Sequence, residues 1–570
     1  MLAKLGFPRR PLDQSTEMGP TMQPQSLRSS LKYEPQILKF GTSGRRGKVV
    51  DLAQLEVYVN ALAELEYLQS LAPSEGGIIR GDKFFLAYDL RPSSSSFVAE
   101  LSGRGDIAQT IVTAIGNAGM QAVNLGSIPT PALANYALSL GKGSIMVTGS
   151  HIPFDLNGYK TYSSRGELLK EQEVPINQQV QQVRERLYAQ PAAESLFDEF
   201  GFLKSGHQTL PPEHAEARAA YIERFTQFFK GGSLGGKRVM VYQHSAVGRD
   251  LLAEILEHLG AEVVKAGRSD TFVPIDTENI DASALAVIQE LVDKEVATHG
   301  PLYAVVSTDG DSDRPLILGA DQATSKVHFF GGDLVGMVVA EFLRADAVVV
   351  PISCNDAVDR GKLSCLVEPK TRIGSPFVIA GIEAALQKGK KLVCGWEPNG
   401  GFLTGSDLER NGATLKALLT RDSVLPILAT LFAAAESGLS LADRFARLPK
   451  RFSRAALLKQ FPRAVALKVV ARFSPLRPEP QEPELADIRN RIEKFFTREM
   501  GFGTITHVDY TDGLRILFDN SDVAHVRPSG NADELRIYSV ADTQKRADAI
   551  VAMGVSEPDG ILRSMEKSMD

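Results

Sequence analysis

The sequence predicts an α/β protein made of several layered units and closed by a smaller α+β unit. Strand-like and helix-like segments alternate through most of the chain, the pattern of α/β layers. Its 570 residues are too many for one hydrophobic core and predict about three to five domains. A Pro-rich stretch, SPLRPEPQEPE at 474–484, reads as a loop or linker into a last segment of different make-up.

In chain order, FFLAYDL (84–90) reads as a buried strand, followed by a helical pattern from about Ala108 to Ala118. QAVNLG (121–126) is the next strand, and PTPALANYALSL (129–140) a helix whose prolines fall where a first turn tolerates them. A β-rich run from Ser144 to Thr148 closes this unit. A second begins with KRVMVY (237–242), continues through the amphipathic helix LLAEILEHLG (251–260) and the strand AEVVKA (261–266), and ends at YAVVST (303–308). A third runs from about Val327 to Leu448, with strands at AVVVPIS and KLVCGW. The last carries the helix IRNRIEKFFTREM and the strands TDGLRILFD and ELRIYSV. We place the units at 34–200, 201–320, 321–455 and 456–570. The three α/β units are similar in make-up without a sharp sequence period. Residues 1–33, rich in Pro, Gln, Ser and Arg, are expected to be a disordered tail, and Met18 and Met22 are alternative starts.

Composition narrows the function. With 43% hydrophobic and 23% charged residues the chain is an ordinary globular one, and its net charge of −6 argues against a general nucleic-acid or membrane-surface role. Three cysteines, Cys354, Cys365 and Cys394, fit no closed disulfide framework and read as reduced thiols in a cytoplasmic protein. No apolar run reaches membrane-helix length, and the opening MLAKLGFPRRPLDQS lacks the apolar core of a secretory signal.

Residues 144–162, SIMVTGSHIPFDLNGYKTY, are the first chemical signal. A serine held in a tight turn after a strand, with His151 beside it and Lys160 ten residues on, suits a nucleophile or phosphate carrier, and the ammonium suits phosphoryl chemistry. The G-x-S-x-G elbow fails because Thr148 and Ile152 occupy the glycine positions. A Ser-His-Asp triad is disfavoured because His151 would point away from Ser150 in an extended segment. An ordinary surface loop with an Asn157-Gly158 turn is the bland alternative.

YAVVSTDGDSDRP (303–315) is the second signal. In an extended chain Asp309, Asp311 and Asp313 share one side, and such a cluster repels itself unless a cation sits within it. Hard oxygen ligands suit Mg²⁺. An EF-hand is rejected because Arg314 and Ala320 replace the required Gly and Glu; a solvated turn is the plainer alternative. Arg314, next to the cluster, suits phosphate. GGSLGGK (231–237) resembles a P-loop, but Arg238 stands where Ser/Thr is required and the glycines precede a strand. It reads as a linker. His244 and His525 read as satisfied polar residues, not metal ligands.

With these two loops in hand the chain resembles the α-D-phosphohexomutase superfamily of phosphoglucomutases and phosphomannomutases. FGTSGRRG (40–47), TGSHIPFDLNGYK (148–160), DGDSDR (309–314), GWEPNGGF (395–402) and RPSGNADELRIY (527–538) match its five signatures in order. Weaker matches are YDLRPSS (88–94), GSIPTP (126–131) and TRIG (371–374). The resemblance implies four domains around a central cleft, the first three α/β and the last a smaller α+β unit. It implies that Ser150 is the phosphoserine, and that Asp309, Asp311 and Asp313 hold Mg²⁺ together with it. It gives Lys160 and His151 proton-transfer and positioning roles, and has Arg46 and Arg314 stabilise the transferring phosphoryl group. Glu397 would meet sugar hydroxyls, with Asn399, Thr371 and Gly374 beside it. Arg527, Ser529, Asn531 and Arg536 would grip the distal phosphate.

The activity implied is hexose 6-phosphate to hexose 1-phosphate interconversion through a hexose 1,6-bisphosphate that also serves as activator. Phosphomannomutase is the first expectation, with phosphoglucomutase or dual specificity as the alternative. A silent sugar-phosphate binding protein and a phosphosugar hydrolase are the readings from other classes. The partner is a small phosphosugar, with no nucleic acid and no membrane. Departures from the family pattern are Gly149 and Ile152 in the serine loop, and Asn399 and Gly401 in the sugar loop. Others are Asn531 and Ala532-Asp533 in the phosphate loop. They put substrate identity in doubt, not the nucleophile.

Overall fold

The computed structural model describes residues 25–477, 481–530 and 533–569. Four main sheets follow one another along the chain. In the first, Lys83–Tyr88 lies parallel between Gln121–Asn124 and Ser144–Val147. The chain then turns back into the antiparallel strand Leu156–Tyr162, which pairs onward with Arg45–Lys48. In the second sheet Glu262–Arg268, Arg238–His244 and Ala304–Thr308 are parallel and Pro315–Ala320 returns antiparallel. In the third Ala347–Val349 and Val393–Trp396 are parallel and Phe402–Thr404 returns antiparallel. Each α/β unit therefore ends its parallel run with a reversal. The three reversals are residues 148–155, 309–314 and 397–401, the loops singled out in the sequence. A loop at the carboxyl end of buried parallel strands is where α/β sheets place ligands.

Local sequence explains the elements. Ser144–Val147 is buried at every position, as its continuous apolar run requires. Arg249–His258 buries Leu251, Leu252, Ile255 and Leu256 on one face. Asp281 caps Ala282–His299 by accepting from the Ala284 N–H. AVVVPIS forms a strand only over Ala347–Val349, since Pro351 can donate no ladder hydrogen bond.

One continuous core runs from Phe85 to Leu448 and joins the first three units. The fourth unit, an antiparallel sheet of Phe452–Lys459, Glu534–Ala541, Val523–Pro528, Leu514–Phe518 and Ile505–Asp509 with helices against it, has a core of its own. It meets the rest through polar ties. Arg451 donates to Asp356 in the third unit and to Asp542 and the Ser521 carbonyl in the fourth. Asp512 accepts from the Ile373 N–H.

Two expectations are corrected. Residues 25–33 are not a free tail: Leu27 is buried within the first unit's core, and Ser26 pairs with Pro191. Residues 1–24 lie outside the described part. The Pro-rich stretch is not linker throughout, because Glu482–Glu493 is a helix with Pro483 in its first turn, where the missing N–H costs nothing.

Candidate active site

Ser150 sits in the first reversal with a φ of +56°, in the left-handed region that a serine adopts only when its surroundings impose it. The imposing contacts form a chain. Asp89 accepts from Thr148 Oγ1 at 2.7 Å, and Thr148 Oγ1 accepts from the Ser150 N–H at 2.7 Å. Arg91 donates to the carbonyls of Ser150, Ile152 and Pro153. Arg91 packs directly on Gly149: a Cβ there would lie 2.7 Å from the guanidinium carbon.

The turn also corrects the expected direction of His151. The segment is not extended at Ser150, and His151 Nδ1 comes within 3.4 Å of Ser150 Oγ. The same nitrogen lies 3.0 Å from Arg314 Nη1. A guanidinium can only donate, so Nδ1 accepts and the ring proton belongs on Nε2. Burial, then the Arg314 charge, holds the imidazole well below its ordinary pKa, and it stays neutral.

The Ser150 hydroxyl donates to Asp309 Oδ2 at 2.6 Å. Asp309, Asp311 and Asp313 are buried, and one oxygen of each falls within 4.8 Å of the others. They converge through a turn and not through extended alternation. Ser312 has a φ of +57°, and Asp309 Oδ1 accepts the N–H groups of Asp313 and Arg314. Lys160 binds Asp311 Oδ2 at 2.7 Å and Asp313 Oδ2 at 2.6 Å, so its ammonium meets the carboxylates and not the serine. Thr130 donates to Asp311 Oδ2 at 2.6 Å.

Burial, with repulsion from Asp311 and Asp313, pushes the Asp309 carboxyl well above its usual range. Burial acts the same way on the other two. Lys160 nonetheless holds Asp311 below that range, and Arg421 with Lys160 does so for Asp313. Asp311 Oδ1 and Asp313 Oδ1 are buried and accept no hydrogen bond from a described residue, although Arg314 Nε lies 3.6 Å from Asp313 Oδ1. Two buried carboxylate oxygens without a hydrogen bond, beside Asp309, are the donor set a hard divalent cation takes, so the residues fit a metal ion.

The other candidates lie around this cluster. Arg46 donates to the carbonyls of Arg45 and Tyr159; burial brings its pKa down to about 10, with Asp311 opposing. Glu397 is buried in the third reversal and accepts from Arg421 Nη1 at 3.0 Å. Asn399 turns its side-chain oxygen onto the Gly401 N–H. Thr371 Oγ1 donates to the Arg372 carbonyl. Gly374, at a φ of +129°, packs against Thr42 of the first unit.

In the fourth unit Arg527 donates to Asp512 and Arg536 to Glu534, and Ser529 is buried. Asn531 lies outside the described residues. The Asp533 carboxylate accepts from the Arg463 N–H at a helix start, a position that suits its charge. A cavity of about 770 Å³ lies between the units, lined by Glu278 of the second, Asp333 and Pro398 of the third and Tyr538 of the fourth. Its size suits a small ligand. Burial and Asp276 push Glu278 up to about 7, against the pull of Arg314 and Arg536.

Sequence reasoning missed the residues that act from the side. Thr130 and Arg91 lie in GSIPTP and YDLRPSS, noted only as weak matches. Arg421, in the plain strand Leu418–Asp422, carries no sequence signal at all.

A buried serine facing a carboxylate triad, on the reversals of two adjoining α/β units, defines an enzyme built for phosphoryl transfer. Residues 38–187 match phosphoglucomutase/phosphomannomutase α/β/α domain I, and residues 219–322 match domain II. A phosphomannomutase of Sinorhizobium fredii is 36% identical over 520 residues, covering 91% of this chain and 98% of its own. One of Salmonella muenchen is 37% identical, covering 90% and 94%. The chain belongs to the phosphoglucomutase/phosphomannomutase family. Among solved structures, a family protein of Burkholderia thailandensis superposes with a TM-score of 0.61 at 17% identity, covering 92% of this chain and 97% of its own. Aspergillus fumigatus N-acetylphosphoglucosamine mutase, in complex with GlcNAc-6P and magnesium, gives 0.52 at 15%, covering 95% and 98%. The enzyme is thus a phosphohexomutase, an isomerase acting by intramolecular phosphotransfer. Among the described residues no helix is long and apolar enough to cross a membrane.

Proposed function

We propose that the protein is a phosphomannomutase that interconverts mannose 6-phosphate and mannose 1-phosphate through a phosphorylated Ser150 and a hexose 1,6-bisphosphate. The 2.6 Å contact from Ser150 Oγ to the carboxylate cluster carries this reading. Relatives named phosphomannomutase over more than 90% of their length support the sugar.

Asp309, Asp311 and Asp313 would hold Mg²⁺. When bound, that ion would neutralise charge on the transferring phosphoryl group. The phosphoserine P–O bond breaks as a sugar oxygen bonds to phosphorus, and the proton the sugar hydroxyl loses is returned to Ser150 Oγ, which leaves as the free hydroxyl. Neutral His151, with Nδ1 3.4 Å from Ser150 Oγ, supports a proton-transfer role beside that oxygen. Arg314 and Arg46 would draw charge from the equatorial oxygens. Lys160 keeps Asp311 and Asp313 in register. Glu397 and Asn399, flanked by Thr371 and Gly374, would contact the sugar hydroxyls. Arg527, Ser529, Asn531 and Arg536 would hold the far phosphate in either orientation of the bisphosphate.

The four units are read as domains 34–200, 201–320, 321–455 and 456–570, with 25–33 joining the first. Reduced thiols support a cytoplasmic setting. A coupled assay on mannose 1-phosphate and glucose 1-phosphate, with Mg²⁺ and a 1,6-bisphosphate primer, tests the reading. Preference for mannose is expected; equal rates would make it a dual-specificity mutase, and glucose preference would overturn the assignment.

A further inference from the structure

Arg421 ties together two loops that belong to different units. Its side chain is 3% exposed, and the guanidinium is divided between two carboxylates. Nη1 donates to Glu397 Oε2 at 3.0 Å, while Nε and Nη2 donate to Asp313 Oδ2 at 3.1 and 2.9 Å. Glu397 belongs to the third reversal and Asp313 to the second, so this one planar group sets the distance between sugar loop and carboxylate cluster. A fork of fixed donors does this as a flexible ammonium cannot.

Gly401 shows what the arrangement requires. Its φ is not in the left-handed region, so backbone freedom does not explain a glycine there. Space does: a Cβ at Gly401 would lie 2.4 Å from Arg421 Cδ and 2.7 Å from Cγ. The loop holds its own shape, because the Gly401 N–H is held by Asn399 Oδ1 and its carbonyl by the Glu397 N–H. The strand register confirms the neighbourhood, since Phe402 pairs with Asp422. Gly401 is therefore the floor on which the Arg421 side chain lies.

We propose that Arg421 is the positioning residue for sugar recognition, locking Glu397 to Asp313, and that Gly401 is glycine in order to admit it. Glu397 Oε2 is taken by the arginine, and Oε1, which accepts from no described residue, is the oxygen presented to substrate. The assignment of Oε1 rests on the function proposed above; the bridge itself does not.

The test is a double-mutant cycle of Gly401→Ala and Arg421→Ala in the full chain. It is read as KM and kcat on mannose 1-phosphate and, separately, as Mn²⁺ affinity by electron paramagnetic resonance. Thermal melts establish that each variant is folded, and Arg421→Lys serves as a milder variant. Gly401→Ala should raise KM at least about tenfold in the native background and less than about twofold once Arg421 is alanine. Both single variants should alter Mn²⁺ affinity by releasing Asp313, again without adding. Arg421→Lys should restore part of the Mn²⁺ behaviour and little of the KM. Additive effects, or a Gly401→Ala enzyme with native KM and native Mn²⁺ affinity, would overturn the proposal. A non-additive Mn²⁺ cycle in an enzyme inactive on mannose and glucose phosphates would sink the functional reading and leave the bridge standing.

Discussion

Ser150 and Asp309 meet across the boundary of the first two α/β units, the serine hydroxyl donating to Asp309 Oδ2 at 2.6 Å with both side chains buried. Neither residue could reach the other within its own unit. The continuous core that joins the units is therefore part of the chemistry, since it fixes a distance on which phosphoryl transfer depends.

Removing the oxygen that carries the phosphoryl group should abolish turnover. Ser150→Ala is expected to lower kcat by at least about a thousandfold, the scale of losing a covalent nucleophile. Incubation with labelled bisphosphate should leave the variant unlabelled and the native chain labelled. A labelled, active variant would remove Ser150 from its role.

Lys160 is a buried counter-ion to Asp311 and Asp313, and replacing it with methionine leaves two buried carboxylates short of positive charge. Breaking a buried pair from one side costs about 3–5 kcal/mol. Lys160→Met should melt markedly lower than native in chelator. Added Mg²⁺ should raise its Tm by more than it raises the native Tm, because the cation replaces the lost charge. Equal shifts in both proteins would count against a metal at this cluster.

Arg451 fastens a fourth unit that has its own core. Its side chain is 1% exposed; it is held by Asp356 of the third unit and donates at 2.5 Å to Asp542 and at 2.6 Å to the Ser521 carbonyl of the fourth. Arg451→Ala should cost about 3 kcal/mol. It should split calorimetric unfolding, with the fourth unit melting first. A single transition at the native temperature would show that the fourth unit is held elsewhere.

Asp333, 8% exposed at the start of helix Gly332–Leu343, has a buried Oδ1 that accepts no hydrogen bond from a described residue. Burial pushes its carboxyl from 3.8 up to about 6. Between those values the folded chain holds a proton that the unfolded chain has released, so stability falls as pH rises through the window. The full loss above it is roughly 3 kcal/mol. Asp333→Asn should flatten the decline, giving a smaller difference in urea midpoint between pH 4 and pH 7.5 than in the native chain.

Much of this was legible in the chain. The order of strands and helices followed from periodicity, and the two chemical loops stood out because their residues are adjacent in sequence. His151 was misjudged because an extended backbone was assumed where Ser150 takes a positive φ, held there by Asp89 through Thr148. The aspartates converge as expected, but through a turn closed on Asp309. The first residues of the described chain looked like a free tail because composition alone cannot show that Leu27 finds a pocket.

By itself the sequence determined the alternation of strands and helices, the serine, the three aspartates and the basic residues beside them, because each is a local pattern that local chemistry can read. Only the tertiary structure decided which charges meet. Lys160 reaches the second unit's carboxylates, Thr130 braces Asp311, and Arg421, from an unremarked strand, spans Asp313 and Glu397 over a glycine that leaves it room. Such contacts join positions more than a hundred residues apart in the chain, or a strand and a loop of the same unit, and only packing sets their distances.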